Sequence, residues 1–585
     1  MDFLNPIYTE KRECQDCYKC VRNCPVKAIK VEAGCATVIS ELCILCGQCV
    51  EVCPNEAKRV RDDLPRAKQQ LALKKQVIVS LAPSYVAEFP GIRSGQIIHA
   101  LRKLGFFGVS ETALGAQQVS AHVAAMFREQ PQRILLSSAC PTVVAYLQKH
   151  RAAYSQYMTG LLSPVLTHCA MLRNLYGPEL GIVFISPCIA KKAEADAHPE
   201  LLDVALTFED LRRWLEQEHI DLEKICEGPD DALNPEAARE GAIYPIDGGM
   251  VAGIRADCSV TDCSLMSFSG ISTIQRALSG LEQITPEHGL FIELLACEGG
   301  CINGPKVGHK AQTACKRFQL LQRATYPTQE IPRKAELPIN QDLRVAPVIQ
   351  PQFTDFQIRE ALRIVGKFTV DDEINCGGCG YDSCREFGKA LLLNKAERSM
   401  CVTYMRKLAH KKANALIQKM PSAVVIVDES LKILEYNASL AQLLARNGNG
   451  SAQNPPSLEG TLLSSLVPFH NLFASVLKTG EDIMDKDLRY RETILHISIF
   501  TIEKHCVVGG IIQDITKPAV QREQVIKRAQ EVIQRNLSTV QKIAYLLGEN
   551  AAESEITLNS IIDSFSPPKI EETGEDSDWR KLYRR

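Results

Sequence analysis

The chain of 585 residues carries 67 basic against 69 acidic residues, a net charge of −2, and is 45% hydrophobic. That is material for about four domains, and so even a charge balance gives no overall field to draw the chain to nucleic acid or an anionic membrane. The 23 cysteines fall largely in Cys-x-x-Cys runs, with no apolar signal region at the N-terminus. No apolar run approaches the ~18 residues that span a bilayer, so the expectation is a cytoplasmic protein that uses cysteine for metal ligation rather than disulfides.

Residues 14 to 24 read Cys14-x-x-Cys17-x-x-Cys20-x-x-x-Cys24-Pro25, and residues 43 to 54 repeat the pattern as Cys43-x-x-Cys46-x-x-Cys49-x-x-x-Cys53-Pro54. The pair resembles the bacterial two-cluster ferredoxins. The resemblance implies a module over residues 1–70 in which Cys14, Cys17, Cys20 and Cys53 hold one 4Fe-4S cluster and Cys43, Cys46, Cys49 and Cys24 the other. Zinc knuckles are the alternative, but four-ligand zinc gives no reason for two Cys-Pro ends. Cys35, off the pattern, is expected to be a small buried residue. The implied role is electron relay between a partner and the next domain.

Over residues 71–322, short apolar runs (76–81, 133–136, 181–185 and 290–295) read as buried strands, with helical spacing between them at 95–104 and 117–127. Strand and helix alternate, which predicts an α/β domain with its chemistry just past the strand ends. Three segments lie there: Ser137-Ser138-Ala139-Cys140-Pro141, Ser186-Pro187-Cys188-Ile189-Ala190-Lys191-Lys192-Ala193-Glu194, and Leu295-Ala296-Cys297-Glu298-Gly299-Gly300-Cys301.

These segments resemble, in order, the three cysteine motifs of the iron-iron hydrogenases. The resemblance implies an H-cluster, a 4Fe-4S cubane joined through one cysteine to a two-iron unit carrying carbon monoxide, cyanide and a bridging dithiolate amine. Cys140, Cys188 and Cys297 would hold the cubane and Cys301 would be the bridging ligand. Lys191 would stand near a cyanide, where a cation is favoured in a dry pocket, and Glu194 would orient the loop. Gly299 and Gly300 are expected to let the backbone pass close to the iron unit. The departures from the family pattern point to function. The relay thiol that precedes the first ligand in turnover enzymes is Ala139 here, and the motif methionines are Ser186 and Leu295. Gln117, Gln118 and His122 stand where those enzymes carry acidic relay residues. Such substitutions resemble the sensory branch of the family. Of the remaining cysteines in this domain, Cys169, Cys226, Cys258, Cys263 and Cys315 are expected to be buried free thiols.

Five prolines between residues 323 and 353 mark an extended linker. Cys376, Cys379, Cys384 and Cys401 then resemble a small single-cluster 4Fe-4S domain, placed at 354–412, with zinc as the alternative. The basic stretch from Arg385 to Lys419 reads as a mostly solvated exit helix. Residues 413–516 resemble a PAS domain, including Asn437-Ala438 after the second strand and Asp514-Ile515-Thr516 at the close. No PAS cofactor is expected, since His470, His496, His505 and Cys506 read as packing or surface residues. In the last segment, 517–585, Ile526, Ile533, Val540 and Leu547 recur every seven residues, with Asn536 on the same seam, which predicts a homodimeric coiled coil. Together these features describe a multidomain hydrogen sensor of low turnover, with hydrogen, a ferredoxin or other redox protein, and a downstream signalling protein as partners. The rivals are a ferredoxin-linked catalytic hydrogenase and a hydrogenase-like iron-sulfur assembly protein without the two-iron unit.

Overall fold

The computed structural model describes residues 5–515 except 131, 258–262, 286, 309–311, 325, 326, 328, 330, 332, 447–456, 491 and 492. The chain forms two compact units, one from Met1–Ala361 with Gly380–Ala396, the other from Leu362–Cys379 with Glu397–Arg585. Residues 354–412, expected as one small domain, are shared between them. The heptad seam at Ile526, Ile533, Val540 and Leu547 lies outside the described residues.

The first unit opens on two near-repeats. Tyr18 (φ 57) precedes the short helix Lys19–Asn23, and Gly47 (φ 81) precedes Gln48–Glu51, so each cysteine run turns through a left-handed residue into a single helical turn. Then come β1 (Val77–Leu81), β2 (Gly108–Glu111), α1 (Ala113–Glu129), β3 (Ile134–Leu136), α2 (Pro141–His150), α3 (Pro164–Tyr176), β4 (Gly181–Ser186), α4 (Ala190–Ala197), β5 (Val204–Thr207), β6 (Cys263–Ser269) and β7 (Gly289–Leu295). These strands make two sheets, ordered β2-β1-β4-β5 and β6-β7-β3, with every pairing parallel. All residues of β1, β4 and β7 are buried, which is why they read as unbroken apolar runs rather than as alternating strands.

The proline-rich segment is a strap rather than a spacer. Leu162 N donates to Ile339 O (2.8 Å), Gln341 N to Gly160 O (2.7 Å) and Val348 N to Lys149 O (2.9 Å), and the Ile339 side chain is fully buried. The basic stretch expected as one solvated helix is two. The first, α5 (Cys384–Leu392), buries Phe387 and Ala390 and stops before Asn394 (φ 53); the second, α6 (Val402–Lys419), is largely solvated.

In the second unit, α6 leads to β8 (Ala423–Val427), β9 (Ile433–Tyr436), α7 (Ala438–Arg446), α8 (His470–Thr479), β10 (Ile483–Tyr490), β11 (Thr493–Glu503) and β12 (Val507–Asp514). The antiparallel sheet has the order β9-β8-β12-β11-β10, with Val425, Phe473, Ile497 and Val508 in its core. The sequence reading missed β10, whose middle residues are exposed and polar and so carry no apolar signal. Asn437 is fully buried and works as a joint: its Oδ1 accepts from Val424 N (2.9 Å) and Leu440 N (3.0 Å), while its Nδ2 donates to Ile417 O (3.0 Å) and Ser422 O (2.7 Å). The end of α6 is thereby tied to the sheet. His496 lies between Asp485 (3.1 Å) and Asp487 (2.6 Å), and His470 and His505 bond to the backbone carbonyls of Val467 and Leu477. Among the described residues no helix is long and apolar enough to cross a membrane.

Candidate metal centre

Three strand ends converge in the first unit. Cys140 is the residue before α2, with Pro141 opening that helix. Cys188 lies between β4 and α4, Cys297 follows β7, and Cys301 begins the turn Cys301–Asn303. The thiols are neighbours. Burial first, then the proximity of Cys301, Cys188 and Cys140, raises the pKa of Cys297; burial, then Cys140 and Cys188, does the same for Cys301. Cys188 is pushed up to about 11 by burial and Cys140, against the opposing Lys191. Neighbouring buried thiols that resist ionisation on their own become thiolate ligands when a metal supplies the compensating positive charge. The donor set therefore fits an iron-sulfur cluster.

A largely apolar cavity lies beside them, its wall including Ala139, Cys140, Ser186, Cys188, Lys191, Tyr244, Leu295 and Cys301. Cys297 is not in that wall. It lines, with Cys46, a second hollow. Lys191 is buried, with Nζ donating to Glu194 Oε2 (2.6 Å) and Ser163 Oγ (2.9 Å). Glu194 thus holds the lysine directly rather than the loop in general. Ser186 Oγ accepts from Cys188 N (3.2 Å), fixing the turn before α4. The double glycine is also required by the protein around it. Gly300, at φ +98, would place a Cβ 2.2 Å from Pro245 O, and Gly299, at φ +74, one 2.9 Å from Asn303 Nδ2. What a side chain would strike is the protein itself.

The ferredoxin-like quartets interleave. Cys20 is pushed up to about 11 by burial and then by Cys17, Cys14 and Cys53, while Cys49 is raised by burial and then by Cys46, Cys43 and Cys24 ahead of Cys20. Cys35 is only half-buried and is hydrogen-bonded to Cys14, so the expectation of a small core residue fails: the hairpin carrying it faces the cysteine run. Cys384 and Cys401 are buried, Cys379 is half-buried and Cys376 exposed. Among the described residues no three His, Cys, Asp or Glu side chains gather tightly enough for a single metal ion. Cys169 is buried as expected, whereas Cys226 and Cys315 are exposed, each lying on a solvent-facing segment; Cys258 is outside the described residues.

Residues 75–305 match the family described as iron only hydrogenase large subunit, C-terminal domain; residues 372–403 match a putative Fe-S cluster family and 36–59 a 4Fe-4S binding domain. The chain is a hydrogenase-like iron-sulfur protein. It is 26% identical over 366 residues to the NADP-reducing hydrogenase subunit HndD of Solidesulfovibrio fructosivorans, covering 50% of this chain and 62% of that one. To iron hydrogenase 1 of Clostridium pasteurianum it is 26% identical over 310 residues, covering 43% and 53%. It is also 26% identical over 221 residues to the cytosolic Fe-S cluster assembly factor narfl of Xenopus tropicalis, covering 29% and 46%. The chain thus spans 53% to 62% of the length of the two hydrogenase relatives.

Within the hydrogenase-like domain, Gln117, Gln118 and His122 do not reach the cavity; α1 meets it through Ala113 and Ala116. Gln118 Oε1 instead accepts from Glu336 N (3.4 Å), and His122 keeps a buried Nε2 without a hydrogen-bond partner, its pKa lowered by burial. Three groups escaped the sequence reading. Tyr244 is in the cavity wall, its hydroxyl donating to Met250 Sδ (2.9 Å). Glu293, in β7, is pushed up to about 7 by burial, with Met250 N donating to it at 3.1 Å. It was findable as the one charge in an apolar strand.

The third is His168, fully buried, with Nδ1 2.8 Å from Ser80 Oγ, Nε2 2.8 Å from Ser110 Oγ, and Ser80 Oγ 2.7 Å from Thr112 Oγ1 in the cavity wall. Burial lowers its pKa to about 3. Below the ordinary histidine value the unfolded chain binds a proton that the folded chain refuses, so this contribution to stability falls as pH falls, by about 2 kcal/mol at pH 5. The urea midpoint is expected to drop between pH 7 and pH 5 by more in the parent than in His168→Asn; equal drops would exclude His168 as the cause.

Proposed function

We propose that the protein is a hydrogen-sensing iron-iron hydrogenase that turns over slowly and reports its redox state through a PAS domain and a coiled-coil output. One observation carries the reading: Cys301, Lys191 and Ala139 share the wall of one apolar cavity. Cys140, Cys188 and Cys297 would hold the cubane and Cys301 would bridge to the two-iron unit. When bound, that group supplies the metal chemistry that splits or forms dihydrogen and takes up its electrons. Lys191, held by Glu194 and Ser163, sets a fixed cation in the wall where an anionic ligand is favoured. Leu295 and Ala139 keep the wall apolar. Ala139 has no proton to give or take, so protons must leave by a slower way than a thiol relay, which suits a detector better than a fast catalyst.

Cys14, Cys17, Cys20 and Cys53, with Cys43, Cys46, Cys49 and Cys24, would hold two further 4Fe-4S clusters that exchange electrons with a ferredoxin or similar redox protein. Cys376, Cys379, Cys384 and Cys401 would hold a fourth. Output follows from α6, whose 18 residues begin directly after Cys401, span about 27 Å and end on the Asn437 joint. A homodimer acting on a downstream signalling protein in the cytoplasm completes the reading. The similarity to an assembly factor supports a second reading, a carrier without the two-iron unit.

Hydrogen is expected to bleach the visible iron-sulfur absorbance of the oxidised, fully maturated protein. Absorbance that stays unchanged under hydrogen but bleaches with dithionite would contradict the sensor.

A further inference from the structure

In the ferredoxin-like module Lys58 is 3% exposed, yet among the described residues no carboxylate pairs with it. Its Nζ donates to a single neutral acceptor, Ala36 O, at 2.5 Å. Burying an ammonium on one carbonyl is costly, so a lysine placed in this way calls for an anion nearby. The strand Lys58–Val60 that carries it pairs with Ile7–Thr9, and Thr9 Oγ1 donates to the same Ala36 O at 3.1 Å. From Ala36 the contact runs on to a cysteine, because Ala36 N donates to Cys14 Sγ at 3.5 Å. Lys58 also lines one hollow with Cys53, and its charge favours the ionised forms of Cys20 and Cys35.

The four thiols of Cys14, Cys17, Cys20 and Cys53 suit a cluster as those around Cys301 do. Burial raises Cys20 first, and Cys17, Cys14 and Cys53 add to it against the opposing Lys58. Four thiolates on iron would be the anion that Lys58 lacks. We propose that Lys58 is the fixed counter-ion of the cluster held by Cys14, Cys17, Cys20 and Cys53, raising its reduction potential so that an electron is held there until a redox partner collects it. Net charge and solvent exposure are among the levers that set a cluster's potential. A buried cation such as Lys58 is screened far less than an exposed one such as its neighbour Arg59. Reduction adds one electron, and so one negative charge, to the cluster, and makes or breaks no bond. Lys58 therefore stabilises the reduced form more than the oxidised one. The electron arrives from the cluster at Cys24, Cys43, Cys46 and Cys49, whose Cys49 is close enough to Cys20 to feel its charge, and leaves to the partner. The proposal rests on assigning the four outer cysteines to one cluster in the reading above, and not on the two-iron unit.

The test is a dithionite redox titration of the full chain loaded with iron and sulfide, followed by electron paramagnetic resonance. Cys17→Ser identifies the outer cluster as the cubane signal that it removes. Lys58→Gln keeps an amide donor for Ala36 O and drops the charge. In that variant the outer cluster's potential is expected to fall by about tenfold in the one-electron equilibrium, which is about 59 mV, while the neighbouring cluster moves less. Lys58→Arg, which keeps the charge, is expected to stay close to the parent. An outer cluster that titrates at the parent's potential in Lys58→Gln, or that falls as far in Lys58→Arg, overturns the counter-ion and leaves Lys58 a tie between strand and hairpin. Loss of the outer cluster in Lys58→Gln but not in Lys58→Arg supports the counter-ion, and loss in both overturns it. If Cys17→Ser removes no cubane signal, the assignment of the four cysteines fails, and the counter-ion with it.

Discussion

Ala139→Cys is expected to raise hydrogen turnover of the maturated protein by about 10²-fold, the usual lower yield of a positioned proton-transfer group. Ala139 is 8% exposed and stands in the cavity wall next to Cys140, so a thiol there faces the space where the two-iron unit would sit. Its backbone N–H donates to Ser137 Oγ (3.3 Å), which helps to fix the main chain at this position. The gain should appear in kcat with KM for hydrogen little changed, because the substitution adds a path for protons and no contact to hydrogen. Ala139→Ser, of similar size but far less acidic, should gain much less. A turnover unchanged by the cysteine, in protein with a full complement of cofactor, would mean that the missing thiol is not what limits the rate.

Lys192→Met is expected to cost about 3–5 kcal/mol of stability, the range for breaking a buried ion pair from one side. Lys192 is fully buried, with Nζ 2.8 Å from Asp210 Oδ2 and 3.2 Å from Asp63 Oδ2. Asp63 also receives Arg61 and Arg66, each at 3.0 Å, so the network ties the end of the ferredoxin-like module to the hydrogenase-like domain. Burial raises the pKa of Asp210, but Lys192 and the Thr207 donors outweigh it and hold the carboxyl below its ordinary range. With the lysine gone, Asp210 faces burial with less compensation, and Lys192→Met/Asp210→Asn should recover part of the loss. A urea midpoint that falls by less than about 1 kcal/mol equivalent for the single substitution would show that the pair contributes little net stability.

Legibility in the sequence followed the range of the interaction. The ligand spacings were visible because a cluster dictates them over a few residues, and the buried strands because parallel sheets demand unbroken apolar runs. Lys192 gave no signal of its own, since its partners Asp63 and Asp210 lie far away in the chain and only the fold joins them. Gly299 and Gly300 were noticed as places where a β-carbon would crowd an iron unit, but the crowding of Gly300 by the Pro245–Ile246 backbone is announced by no local pattern. His168 is invisible for the same reason: Ser80 and Ser110 come from neighbouring strands. The strap at Ile339 looked like a linker because prolines forbid regular structure, not contact.

On the reading proposed above, Cys301 and its cavity hold a two-iron unit. Infrared spectroscopy of the maturated protein tests this most directly. Sharp bands from iron-bound carbon monoxide and cyanide are expected, lost in Cys301→Ser while the ferredoxin-type clusters remain. A fully iron-sulfur-loaded protein that shows no such bands after maturation would contradict it.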